Sequence, residues 1–433
     1  MPTRRQFLKS TAAAVAATAY TPNALSAGFD PSSWASVRDQ FLLDDGVTNL
    51  TTFLLASHPK PVRDAIDRHR AGLDRDAKRY LDDQEETAEK RVRAGAAAYL
   101  EVAADEIALT DSTTMGLGLV YGGLRLRPGQ EVLTTVHDFY STHESLRLRA
   151  LRTGAHLRKI RLYGNARNVS VDEVVSAVRR AVRPETRVLA VTWVHSSTGV
   201  KLPVRAIANA LRPVNARRRE AERILLCVDG VHGFGVEAAT PAELGCDILV
   251  SGCHKWLFGP RGTGLVWARR NAWAAVTPTI PTFDSRAIIA WIRGQPSRNG
   301  IAGLPRALAM TPGGFHSFEH RWALREAFDF RRQIGRDRVA ARTHELAHRL
   351  KAGLREINGV RLVTPESSTL SAGLVCFEVA NRDPMAIVQR LYDRAQVIAS
   401  VTPYATRYVR LGPSILNSTG DVDRALQAIR ALA

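Results

Sequence analysis

Cysteine is scarce in this sequence. Four residues in a chain of 433 exclude a scaffold stapled by disulfides. No run of eighteen or more apolar residues occurs, so no span of a bilayer is expected. Acidic residues are in deficit, 42 against 60 Lys and Arg, which leaves a formal charge of +18. That excess favours anionic partners. The cations, however, are mostly Arg scattered over helix-like stretches such as 212–223 and 331–349, with no interleaved aromatics and no reader motif, so a nucleic-acid binder is not expected. Metal-ligand spacing is also missing. The nearest approach, His316-Ser317-Phe318-Glu319-His320, places an i, i+4 pair at a helix start and reads as an entrance or interface element. What remains is ordinary globular material, 45% hydrophobic and 24% charged, in a length that suggests two domains around two cores.

The first thirty residues read as an address. Thr3-Arg4-Arg5-Gln6-Phe7-Leu8-Lys9 precedes a mildly apolar, Ala-rich stretch over 10–20, then Pro22 and the small residues Ala24-Leu25-Ser26-Ala27. This resembles a twin-arginine signal, residues 1–27, with cleavage after Ser26 or Ala27. Loss of Arg4, Arg5 and Lys9 takes the formal charge from +18 to +15, so the mature chain stays basic. It is expected to meet the twin-arginine export machinery, to work in the periplasm or beyond, and to make no stable membrane insertion. Cys227 and Cys376 lie in apolar strand-like runs, where a thiol is an inert core residue by default.

The body alternates short apolar strands with amphipathic helices. Helical patterning runs over 61–100, with Pro61 as an early-turn signal. Glu131–Thr135, 155–163, 188–193, 224–228, 248–251 and Gly264–Ala268 read as strands, mostly apolar at consecutive positions, as in a parallel sheet buried on both faces. Helices over 141–153, 170–182, 204–211 and Pro241–Leu244 separate them, which argues an α/β domain. From about residue 315 a long helix runs past His348. Strand-like 370–379, helical 384–396, strand-like 408–411 and a final helix from Asp421 follow, as a smaller α+β domain. The stretch 277–303 is broken by Pro and Gly and fits no element.

One lysine stands apart. Ser251-Gly252-Cys253-His254-Lys255-Trp256 sets Lys255 directly after a buried strand, crowded by His254 and Trp256, where an amine loses its charge easily and becomes a nucleophile for a carbonyl. Alone, such a lysine fits a strand cap equally well. Upstream, Leu225-Leu226-Cys227-Val228-Asp229-Gly230-Val231-His232 ends another buried strand in an acid, which by itself also fits a helix cap. Parallel sheets gather ligand sites at the carboxyl ends of their strands, so Asp229 and Lys255 can converge. A carboxylate for a pyridinium nitrogen and a lysine for a Schiff base is the pairing that pyridoxal phosphate requires.

On these residues the chain resembles the class V aminotransferase family of fold-type-I pyridoxal phosphate enzymes, in particular its isopenicillin-N epimerase-like branch, from about Asn49 to the C-terminus. The resemblance implies a large domain (51–314) with a mostly parallel seven-stranded sheet, a smaller C-terminal α+β domain (315–433), and a segment over 28–50 that packs with the latter. It implies Lys255 as the Schiff-base lysine, Asp229 on the pyridine nitrogen and His232 on the ring hydroxyl. The loop Thr110-Asp111-Ser112-Thr113-Thr114-Met115-Gly116 matches the family's phosphate loop at a helix N-terminus, and Ser251 and His254 match further phosphate contacts. His137 matches the aromatic residue stacked on the cofactor ring. Ser196 and Ser197 are implied as polar contacts beside it. Thr311, in Met310-Thr311-Pro312-Gly313-Gly314, is implied as a phosphate contact to the other subunit of a homodimer. Arg410, in Arg410-Leu411-Gly412-Pro413-Ser414, matches the arginine that pairs with a substrate carboxylate.

The loop Ala399-Ser400-Val401-Thr402-Pro403-Tyr404 departs from the family's cysteine desulfurases, which carry a nucleophilic Cys there; persulfide chemistry is not expected. The resemblance implies an exported enzyme acting at the α-carbon of an amino acid or an amino-acid-bearing metabolite, of epimerase or aminotransferase type. A lyase or oxidative decarboxylase is the alternative within the family. A cofactor-free binding protein of the same fold is the alternative outside it, and it would be marked by loss of the Lys or the Asp.

Overall fold

The computed structural model describes residues 28–295 and 303–433, so the signal and part of the 277–303 stretch lie outside the described residues. A short strand, β1 (Thr48–Asn49), precedes the main sheet. That sheet holds β2 (Ile107–Thr110), β3 (Glu131–Thr135), β4 (His156–Ile160), β5 (Thr186–Thr192), β6 (Leu225–Asp229), β7 (Ile248–Gly252) and β8 (Gly264–Ala268), in the order β2-β8-β7-β6-β5-β3-β4. Pairing is parallel from β7 through β6, β5 and β3 to β4, and only β8 runs against its neighbours.

Alternation along the strands explains why both faces are covered. Leu189, Val191, Leu226 and Val228 enter one core, while Val188, Ala190, Leu225 and Cys227 enter the other. A side-chain period of two on a strand apolar throughout demands helices on both sides. The register then lines up the carboxyl ends. Thr192 stands opposite Asp229, Asp229 opposite Val250, and Gly252 and Thr110 both opposite Gly264.

The C-terminal part is built on an antiparallel sheet of β9 (Val360–Leu362), β10 (Val375–Val379), β12 (Ser400–Val401) and β13 (Val409–Leu411), in the order β12-β13-β10-β9, with its own core. β11 (Val397–Ile398) pairs in parallel with β1, which ties the segment before residue 50 to this part.

Two long helical patterns are broken in the structure. The stretch 61–100 divides at Asp76 into Lys60–Arg75 and Ala77–Leu100, because Asp76 leaves the helical region and its carboxylate caps Arg79 N at 3.1 Å. The helix expected past His348 divides at Gly335, whose φ of +92° suits glycine, into Phe318–Ile334 and Arg336–Arg355. Phe318–Ile334 packs mainly on the two N-terminal helices rather than on the small sheet. Within 277–303, Ser285–Ile292 is a helix with no buried residue. All four cysteines are buried and unpaired, and burial pushes their thiols up. Among the described residues no helix is long and apolar enough to cross a membrane.

Candidate active site

The aligned strand ends open into one cavity. Asp229 closes β6 at its floor, 1% exposed, and its Oδ1 accepts the Val231 amide at 3.0 Å. Burial pushes this carboxyl up to about 7 against the pull of the Val231 amide and of Lys255. Lys255 lines the same cavity three residues past β7. Burial brings its amine down to about 8, opposed by Asp229 and assisted by the Arg410 guanidinium. His232 also faces the cavity. Its Nδ1 accepts the Trp256 indole N–H at 3.2 Å, and burial holds its ring well below the ordinary imidazole range, hence neutral.

Ser112, Thr113 and Thr114 line the opposite wall at the start of the helix Thr113–Gly123. The Ser112 hydroxyl accepts the Met115 amide at 3.1 Å as N-cap, and Thr113 Oγ1 accepts the Gly252 amide at 2.7 Å, which joins the loop to the end of β7. This terminus presents amide donors and a positive dipole end, the usual cradle for a phosphate. His254 lies beside it, with Nδ1 3.4 Å from the Thr263 carbonyl. The fit is close: a Cβ on Gly252 would stand 2.9 Å from the His254 ring and 3.1 Å from Thr113 Oγ1.

Arg410, on β13, reaches the cavity from the small sheet. It is 3% exposed, donates from Nε to Ser400 Oγ (3.1 Å) and from Nη1 to the Ser196 carbonyl (3.0 Å), and lies 4.6 Å from the Phe53 ring centroid. Among the described residues it has no carboxylate partner, and burial draws its pKa downward. A buried cation held only by neutral oxygens and a ring is prepared to receive an anion. Ser196 lines the cavity too, and its hydroxyl meets the Tyr404 phenol at 2.7 Å; Ser197 has no place in the lining.

His137 and Ser251, like Ser197, stand outside this lining, and Thr311 is expected at the other subunit's site rather than in this cavity. His137 is outside the cavity lining; its ring stacks on Tyr163 (3.9 Å, 10°), and its Nε2 accepts the Leu162 amide at 3.3 Å. Phe139, two residues on, lines the cavity instead. Ser251 is fully buried and donates to the Gly252 carbonyl. Thr311 is buried with its hydroxyl on its own chain, accepting from Leu109 N at 3.1 Å and donating to the Ala307 carbonyl at 3.3 Å.

Sequence reasoning passed over Asp138, Phe139, Thr192 and Tyr404. Asp138 Oδ2 accepts Thr134 Oγ1 and Thr135 N, both at 2.8 Å, and Oδ1 accepts Thr192 N at 2.8 Å, so one buried carboxylate pins the turn that carries Phe139. The signal available was an acid in a strand-end turn preceded by two threonines. Thr192 lines the cavity, and among the described residues its buried Oγ1 has no partner, an orphan that a ligand's polar edge would satisfy.

The seven-stranded sheet with a buried acid and a lysine at its carboxyl ends, beside a smaller antiparallel domain, is the architecture of a fold-type-I pyridoxal phosphate enzyme. The chain belongs to the class-V aminotransferase family, which residues 57–401 match, and residues 1–19 match the twin-arginine translocation pathway signal sequence, so the chain carries the address of that export route. Across 409 residues it is 27% identical to isopenicillin N epimerase of Amycolatopsis lactamdurans, covering 93% of this chain and 99% of the relative. A probable cysteine desulfurase of Xylella fastidiosa (strain Temecula1) is 28% identical over 317 residues, 71% of this chain and 70% of the relative. Among solved structures, a C-DES variant with glycine covalently linked to its pyridoxal phosphate cofactor superposes with a TM-score of 0.78 at 20% identity, covering 91% of this chain and 98% of that one, a likeness of fold.

Proposed function

We propose that this protein, an exported pyridoxal phosphate-dependent enzyme, acts at the α-carbon of an amino acid or an amino-acid-bearing metabolite, as an epimerase or aminotransferase. The observation that carries the reading is Arg410, a buried guanidinium that among the described residues has no carboxylate partner and lines the same cavity as Lys255. When bound, the cofactor supplies an electron sink that weakens the bonds at the α-carbon of an amino substrate.

The chain's own residues do the rest. Ser112, Thr113, Thr114 and His254 hold the phosphate, Asp229 keeps a proton on the ring nitrogen, His232 meets the ring hydroxyl, and Thr192 and Ser196 offer hydroxyls beside it. Phe139 takes the aromatic place against the ring. Arg410 receives the substrate carboxylate and so fixes which bond at the α-carbon is presented. Lys255 Nζ, neutral above about pH 8, accepts a proton from that carbon; inversion requires a second donor to return a proton to the opposite face, and transfer of the amino group requires that the proton not go back to that carbon. Persulfide chemistry has no nucleophile here. Cys376 stands opposite Arg410 in the β10–β13 pairing, but it is fully buried and its thiol is pushed up to about 12.

A homodimer in the periplasm is part of the same reading. The export signal supports the compartment, and exposed apolar side chains support the partner: Phe315 is 85% exposed, and Trp291 and Ile292 project from a helix with no buried residue. Incubation of the holoenzyme in D2O with isopenicillin N and with free L-amino acids, followed by NMR, tests the reaction. Deuterium at the α-carbon with inversion is the expected epimerase outcome, and amino-group loss to an added keto acid is the aminotransferase outcome. No exchange with any amino substrate would remove the proposal.

A further inference from the structure

A second cavity, about 530 Å³, lies at the other end of the main sheet. Arg187 near the start of β5, Leu225 at the start of β6 and Asp247 just before β7 border it, whereas the carboxyl ends of those strands serve the cofactor cavity. Five arginines line it: Arg125, Arg127, Arg187, Arg223 and Arg269. Three carboxylates line it too, and each is already engaged. Glu222 pairs with Arg127, Glu220 with Arg223 at 3.0 Å, and Asp247 stands 3.9 Å from Arg269.

Two cations are left over. Among the described residues neither Arg125 nor Arg187 pairs with a carboxylate; Arg125 Nε donates to Thr277 Oγ1 at 3.1 Å, and Arg187 Nη1 donates to the Arg223 carbonyl. Arg187 is only 6% exposed, and burial draws its guanidinium downward against the weaker pull of Glu222 and Asp247, neither of which is close enough to pair with it. A buried charge is ordinarily paired, because desolvation without a counter-ion is costly. The wall is preformed, since Asn215 clasps Ile224 from both sides, Nδ2 to its carbonyl at 3.0 Å and Oδ1 from its amide at 2.7 Å. Leu126, Ile224, Leu225 and Ala272 supply an apolar floor.

We infer that this arginine-lined cavity is a second ligand site, separate from the cofactor cavity, for a small organic anion held by its phosphate or carboxylate groups. Surplus guanidinium forks match the planar oxygens of such groups, and the floor takes the organic body. The assignment does not depend on the reaction proposed above.

Isothermal titration calorimetry of the holoenzyme, whose phosphate cradle is already filled by cofactor, with inorganic phosphate and with citrate tests it. The expected result is saturable binding of one anion per chain to at least one probe, not reproduced by sodium chloride at equal ionic strength. Arg125→Ala, at an exposed position, and Arg187→Lys, which keeps the charge but not the fork, should each weaken it on the order of tenfold while the cofactor absorbance stays unchanged. Should Arg187→Lys fail to fold, Arg125→Ala carries the comparison. Stronger binding of phosphate would identify a phosphate ester as the ligand class, and stronger binding of citrate a polycarboxylate. Absence of saturable binding for both probes, or binding indifferent to Arg125→Ala, would overturn the inference.

Discussion

At the level of single side chains, the role proposed for Arg410 can be tested by separating substrate binding from cofactor binding. Its Nε and Nη1 are fixed by Ser400 and the Ser196 carbonyl, so the guanidinium is held in one plane before substrate arrives. Arg410→Ala should leave the cofactor's visible spectrum intact while kcat/KM falls on the order of thirty-fold or more, since loss of one partner of a buried charge pair costs about 2–5 kcal/mol. Arg410→Lys should recover only part of this, because a point charge lacks the fork. A bleached cofactor with unchanged substrate affinity would contradict the assignment.

The pair His137 and Phe139 gives a second test. Phe139 lines the cavity and His137 is stacked away on Tyr163. Phe139→Ala should therefore alter the visible circular dichroism of the bound cofactor more than His137→Ala does, and the reverse order would return the stacking role to His137. The sequence could not settle this. Two rings stand two residues apart in His137-Asp138-Phe139, and which one faces the ligand depends on how Asp138 is bonded to Thr134, Thr135 and Thr192, a long-range fact. Asp229 closes a buried strand and Lys255 follows one by three residues, so the sequence alone brings both to the strand ends.

Among the elements, the helix Thr113–Gly123 carries the proposed phosphate cradle, and its distance from the sheet is set by a missing side chain. A Cβ at Gly116 would stand 2.6 Å from Val250 Cγ1 and 3.1 Å from Val266 Cγ2. Gly116→Ala should push the helix off β7 and β8, lower stability by about 1–3 kcal/mol in denaturant titration, and weaken cofactor retention. Unchanged stability and retention would mean that the sheet yields instead. The strands of this layer were readable from the sequence because both faces are apolar. The two helix breaks were not. Asp76 and Gly335 interrupt patterns that stay amphipathic across the junction, and the break lies in backbone angles that a periodicity does not encode. Strand-like 370–379 shortens to Val375–Val379 for a related reason, since pairing with β13 begins only at Val375 and with β9 only at Phe377.

For the whole molecule, two features reach beyond any single element. Exposed Phe315, Trp291 and Ile292 are apolar area that a monomer in water leaves uncovered. Light scattering of the purified protein should give two chains per particle, and a monomer retaining full activity at nanomolar concentration would contradict the dimer. The other feature is the union of two lobes around one cavity, with Asp229 and Lys255 from the main sheet and Arg410 from the small one. Everything proposed for that cavity rests on the cofactor being held at Lys255. Borohydride reduction of the purified protein, followed by peptide mass spectrometry, tests this most directly. The account predicts a coloured protein that bleaches on reduction, with the mass of pyridoxal phosphate fixed to the peptide containing Lys255. A folded, colourless protein without added mass at Lys255, or with the mass on another lysine, would contradict it.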